Sequence, residues 1–132
     1  MEEITERLSK GYERFSQTII SLLSAVAVPL SEANPPEISG VYILLVEGKV
    51  MYVGEAKGSS GLRDRLLRKH LSGDDNHAIQ RAFKTEFPDR LLRREHIKNT
   101  VHAKWITIHE KETVSIVERL LIWLLRPAWN RT

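Results

Sequence analysis

The chain is 132 residues long, 42% hydrophobic and 28% charged, which fits one domain with a real core and excludes wholesale disorder. It contains no cysteine, so disulfides, thiolate zinc sites and cysteine nucleophiles are excluded. No apolar stretch approaches the roughly 20 residues of a membrane span, and the acidic start Met-Glu-Glu-Ile-Thr-Glu is unlike a basic leader, so a cytoplasmic protein is expected. The net charge of +3 is uneven. Residues 1–32 carry three basic and five acidic side chains, whereas residues 57–104 carry twelve basic and six acidic ones, a basic segment that a polyanion can use.

Residues 3 to about 27 have helical spacing, with Ile4, Leu8, Phe15, Ile19, Leu22, Leu23 and Val26 on one stripe. Gly11 interrupts the stripe, so a bend or break is expected there, and Pro29 is expected to end the helix. Ser31 to Glu37 then reads as a short linker, extended at its Pro-Pro pair. The chain is thus expected to divide into a helical arm with its linker, residues 1–34, and a domain, residues 35–132. The arm can pack on the core or pair with a second subunit to make a homo-oligomer.

Two apolar runs, Val41 to Val46 and Val50 to Val53, flank Glu47-Gly48-Lys49 and predict a β-hairpin. A three-residue loop sets Val46 opposite Val50, Leu44 opposite Tyr52 and Tyr42 opposite Gly54, so both phenols share one face. A two-residue loop moves the register by one and sends them to opposite faces. Taken alone, this stretch favours two packing tyrosines.

Glu55 to Gly61 is a glycine- and serine-rich loop, and Leu62 to Leu71 reads as a helix with Leu62, Leu66 and Leu67 inward. Ser72-Gly-Asp-Asp75 breaks it before a helix over about 77 to 87, and Leu91 to His96 forms a further short helix. Residues 102–108 alternate as a third strand, and residues 110–125 form a last helix that stops before Pro127. This order predicts an α+β fold: a small three-stranded antiparallel sheet, made of the hairpin plus one later strand, flanked by helices, with an extra N-terminal helix.

The last helix contains an anomaly. Val114, Val117, Leu121, Leu124 and Leu125 recur at steps of three and four, and Glu118 lies inside their seam, while Glu112, Ser115 and Arg119 are expected on the polar side. A carboxylate on a core-facing stripe costs several kcal/mol unless it is paired or binds a cation. A buried ion pair with an arginine and a ligand for Mg²⁺ are both open at this point.

Gly40-Val41-Tyr42 and Tyr52-Val53-Gly54, ten residues apart from tyrosine to tyrosine, resemble the two halves of the GIY-YIG nuclease signature. The likeness continues in order through Leu62 and Arg65, His70, Glu118 and Pro127-x-x-Asn130, and it covers residues 39 to 130. It implies an endonuclease (a hydrolase) acting on DNA, with Tyr42 as general base, Tyr52 supporting it, Arg65 on the phosphate and Glu118 holding Mg²⁺ or Mn²⁺. It further implies that Asn130 pins the C-terminal segment near the site and that Gly54 lets the backbone turn closely beside it.

One position departs from the pattern. The family's helix histidine follows its arginine by four residues, which here is Lys69, while His70 follows by five, about 140° away on a regular helix. A local insertion, Lys69 itself, or His77 at the start of the next helix would resolve the mismatch. Arg63 can replace Arg65 if the helix is rotated, and Lys57 can reach a phosphate from the loop after the second half-motif. The competing readings are a catalytically silent nucleic-acid-binding or interaction module, and an oligomeric structural protein paired through residues 3–27.

Overall fold

In the computed structural model the description covers residues 1–69 and 78–130, without the side chain of Lys69. Helix α1 spans Glu2–Ser24 and is continuous through Gly11, with no break there. Strand β1 is Val28–Pro29, followed by one 3₁₀ turn, Leu30–Glu32. The hairpin strands are β2, Gly40–Val46, and β3, Lys49–Ala56. Helix α2, Gly61–Arg63, runs into a π-helical segment, Asp64–Lys69. Helices α3, Ala78–Phe83, and α4, Arg90–Thr100, lead to strand β4, His102–Thr107, and helix α5, Lys111–Leu125, closes the order.

The sheet is antiparallel in the order β1-β4-β2-β3. It therefore has four strands where three were expected. The fourth is only two residues long, Val28 and Pro29 pairing with Ala103 and His102, and a two-residue strand leaves no periodic trace in a sequence. Helices cover both sheet faces. On one face Tyr42, Leu44, Ala56 and Ala103 pack against Leu62, Leu66, Ile79 and Ile97 from α2, the π segment, α3 and α4. On the other, Val41, Ile43, Leu45 and Val53 pack against Ile19 and Leu22 of α1 and Val114, Val117 and Leu121 of α5. Because β2 is buried on both sides, its sequence is a continuous apolar run with no alternation.

The hairpin reaches the expected register by an unexpected route. Val46 pairs with Lys49, so the loop is the two-residue Glu47-Gly48, with φ of 50° and 78°, as a type I′ turn requires. Regular pairing from that turn would put the two phenols on opposite faces. The register instead shifts between Leu44 and Leu45: Leu45 pairs with Val50 and Leu44 with Tyr52, leaving Met51 as the extra residue of a β-bulge. The three-residue loop is thus replaced by a turn plus a bulge with the same net parity.

Helix α4 is longer than expected at its C-terminal end, and it starts where the Asp89 carboxylate accepts hydrogen bonds from the Leu91 and Leu92 amides (2.9 and 3.1 Å) and caps it. Helix α5 ends where Arg126 takes the left-handed conformation before Pro127. Among the described residues, no helix is long and apolar enough to cross a membrane.

Candidate functional site

The outer strand β3 organises the candidate site. Tyr42 and Tyr52 lie on one sheet face as diagonal neighbours, ring centroids 6.2 Å apart and tilted by 40°. Gly54 faces Tyr42 across the strands, and a methyl group there would overlap the phenol ring and hydroxyl. Glycine is required here because the Tyr42 ring lies over the space a side chain would fill. Tyr42 is fully buried, whereas Tyr52 is half-buried.

The Arg65 guanidinium lies near enough to the Tyr42 phenol for its charge to favour the phenolate. Its Nε is buried and has no hydrogen-bond partner among the described residues, and its side chain lines a cleft of about 280 Å³ with Glu55, Lys57, Gly58, Gly61 and Asp64. Burial pushes the Tyr42 phenol well above the ordinary tyrosine range; Tyr52 adds to the rise, and Arg65 opposes it. The Tyr52 phenol is also raised by burial, against the opposing pull of Arg65 and Arg81. Both phenols therefore hold their protons at neutral pH.

Glu118 enters from the helix on the other side of β3. Val114, Val117 and Leu121 anchor α5 in the core, which leaves Glu118 half-buried at the sheet edge rather than within the seam. Burial, then the negative charge of Glu55, raises its carboxyl pKa, while Arg119, Lys57 and Arg65 lower it. Glu118 has no ion pair or hydrogen bond among the described residues, so the expected alternative of a buried arginine pair is not formed there. No group of three His, Cys, Asp or Glu side chains gathers among the described residues, so the protein would offer one or two carboxylates, a number that suits Mg²⁺, which keeps most of its waters.

Glu55 itself is held. Its side chain ion-pairs with Lys57 at 3.4 Å and accepts a long hydrogen bond from the Ser115 hydroxyl at 3.4 Å. Ser115 therefore faces the Glu55 side rather than the open polar side assigned to it by helical projection. Glu55, which lines the cleft, and Arg81, whose charge reaches Tyr52 from a separate pocket beside Trp129 and Asn130, are the neighbours that sequence reasoning missed. The available signal for Glu55 was a charge inside a strand directly after the second half-motif; for Arg81 there was none, since it lies on a different helix.

Asn130 pins the C-terminal segment to β3. Its Oδ1 accepts from the Val53 amide and its Nδ2 donates to the Val53 carbonyl, both at 2.9 Å, so the side-chain amide substitutes for a neighbouring strand. The Trp129 amide donates to the carbonyl of Met51, the bulge residue, at 2.9 Å. Arg63 points elsewhere: it donates to Asn34 at 2.6 Å and lines a separate cleft with Glu37, Ser60 and Arg68. The π-helical segment Asp64–Lys69 supplies an insertion between Arg65 and the residues after it. The Lys69 side chain, His70 and His77, like the break at 72–75, lie outside the described residues.

Comparison with solved structures finds crystal structures of the GIY-YIG N-terminal endonuclease domain of UvrC from Thermotoga maritima. The chain resembles GIY-YIG endonuclease domains. One such structure, a tyrosine point mutant bound to its catalytic divalent cation, is 22% identical with a TM-score of 0.49, covering 91% of this chain and 98% of that one. A second tyrosine mutant is 24% identical with a TM-score of 0.49, covering 90% and 98%. A third, in which the cation is magnesium, is 23% identical with a TM-score of 0.48 over 90% and 98%. No protein-family model and no curated protein matches the chain.

Proposed function

We propose that the protein is a metal-dependent DNA endonuclease of the GIY-YIG type. The observation that carries the reading is that Tyr42 and Tyr52 share one sheet face, ring centroids 6.2 Å apart, with Arg65 and Glu55 lining the adjoining cleft and Glu118 within electrostatic reach of both from the other side of β3. The reaction is hydrolysis of a phosphodiester by in-line attack of water. Arg65 binds a non-bridging phosphate oxygen, since a guanidinium offers a planar fork that cannot lose its proton.

Only as a phenolate, its own proton already released to solvent, does Tyr42 accept the proton of the attacking water, and Tyr52 orients that water. Burial works against a phenolate, so Tyr42 acts only when positive charge is nearby, and Arg65 already supplies part of it. Glu118 would hold Mg²⁺ or Mn²⁺, with Glu55 beside it. When bound, the cation supplies charge stabilisation for the leaving oxygen and the transition state. Lys57 and Arg81 extend the positive surface on which DNA lies.

The test is nicking of supercoiled plasmid by wild type, Tyr42→Phe and Glu118→Ala, with Mg²⁺ or with EDTA. Cleavage is expected from wild type with Mg²⁺ alone, with both variants reduced at least 100-fold, on the order of a lost general base or charge stabiliser. Equal cleavage by Glu118→Ala would remove the metal assignment, and binding without cleavage by wild type would favour the catalytically silent module.

A further inference from the structure

Helices α1 and α5 leave between them an apolar groove of about 790 Å³. Ile4, Leu8, Tyr12 and Ile20 of α1, with Trp123 and Leu124 of α5, line it and are 54–76% exposed. Most helical stability in water comes from packing an apolar face. Yet of its 23 residues α1 buries only Ile19 and Leu22, and Glu2 to Lys10 are all exposed.

We propose that this groove is an isologous dimer interface, filled by the α1–α5 pair of a second copy of the chain. The area fits. Aromatic side chains bury about 150–250 Å² each, so Tyr12 and Trp123 at these exposures present on the order of 200–350 Å², which Ile4, Leu8, Ile20 and Leu124 extend. A contiguous apolar patch of that size marks an interaction site and supplies a large share of the roughly 800 Å² per partner of a specific interface. Ridge and groove are built from the same residues, the self-complementarity that a two-fold axis demands, and two α1–α5 pairs stacked together form a four-helix layer.

Charge favours a second copy over an anionic surface. Glu2, Glu3 and Glu6 are exposed on the first turns of α1, and Arg119 and Arg126 are exposed beside Trp123 on α5. A two-fold partner sets Glu2 and Glu3 against the other's arginines, whereas an anionic phospholipid or nucleic-acid surface offers them no partner; Glu6 is already paired with Lys10. The pairing also leaves the candidate site open: Ile116, Leu120 and Trp123 lie about 140–160° around α5 from Glu118. The dimer does not rest on the nuclease reading.

Sedimentation velocity on the full chain tests it, with co-sedimentation on phosphatidylglycerol vesicles alongside. Wild type is expected at twice 15.2 kDa at micromolar concentration. Leu8→Glu and Trp123→Glu, both at exposed positions, are expected at the monomer mass with unchanged far-UV circular dichroism. Wild type at 15.2 kDa throughout, with or without vesicle binding, overturns the proposal, as would dimers of unchanged stability from both variants.

Discussion

Glu118 is a half-buried carboxylate near Glu55, an arrangement that lowers stability while Glu118 is ionised. Its pKa is raised above the ordinary 4.5, so the folded protein binds this proton more tightly than the unfolded chain does. The sign follows: the penalty is present at neutral pH and disappears as pH falls below that ordinary value. Glu118→Gln should therefore raise the melting temperature in EDTA at pH 7 by a few degrees, and the gain should vanish near pH 4. Added Mg²⁺ should stabilise wild type and leave the variant unmoved. Differential scanning calorimetry with and without Mg²⁺ measures both effects, and an equal metal response would show that the cation is held elsewhere.

At the scale of the element, β3 is an edge strand kept from open pairing by the C-terminal segment. Asn130 makes two hydrogen bonds to Val53, and Trp129 adds one to the bulge carbonyl of Met51. An edge covered in this way does not pair with other chains. Asn130→Ala removes both side-chain bonds and leaves the Val53 amide and carbonyl without that partner, so a loss of about 1–3 kcal/mol is expected in urea denaturation. Asn130→Asp should be worse than its small change in shape suggests, because a carboxylate accepts from the Val53 amide but cannot donate to the Val53 carbonyl. Equal stability of wild type and Asn130→Ala would mean that the clamp contributes nothing to the fold.

For the molecule as a whole, elements far apart in the chain bring three basic residues around Tyr52 and Glu118, Lys57 and Arg65 in one cleft and Arg81 in the pocket beside Trp129. Lys57 follows β3, Arg65 lies on the π segment and Arg81 on α3, and the charges of all three reach Tyr52 or Glu118. If each contacts one phosphate, DNA affinity should fall about 40-fold between 50 and 200 mM salt. Fluorescence anisotropy over a salt series measures the slope, and Arg81→Gln should lower it by about 0.9. An unchanged slope would take Arg81 off the phosphate path.

Local chemistry determined much of this protein. The hairpin, the last helix and the out-of-pattern Glu118 were legible because period, turn residues and burial cost are properties of neighbours in the chain. Parity was legible only as a condition: which face Tyr52 takes depends on a bulge at Met51, and the Trp129 amide that meets the bulge carbonyl comes from the far end of the chain. The buried Arg93 was not legible at all. It is fully buried while Leu91 and Leu92 beside it are 74% and 64% exposed, because its partners, Gln80 and the Phe87 carbonyl, come from outside its helix. Glu55 escaped notice for the same reason, since only α5 packed across the sheet brings Glu118 near it. Sequence alone determines which residues must be near neighbours along a helix or strand; the meeting of side chains from separate elements is decided by tertiary packing, which has no local period to read.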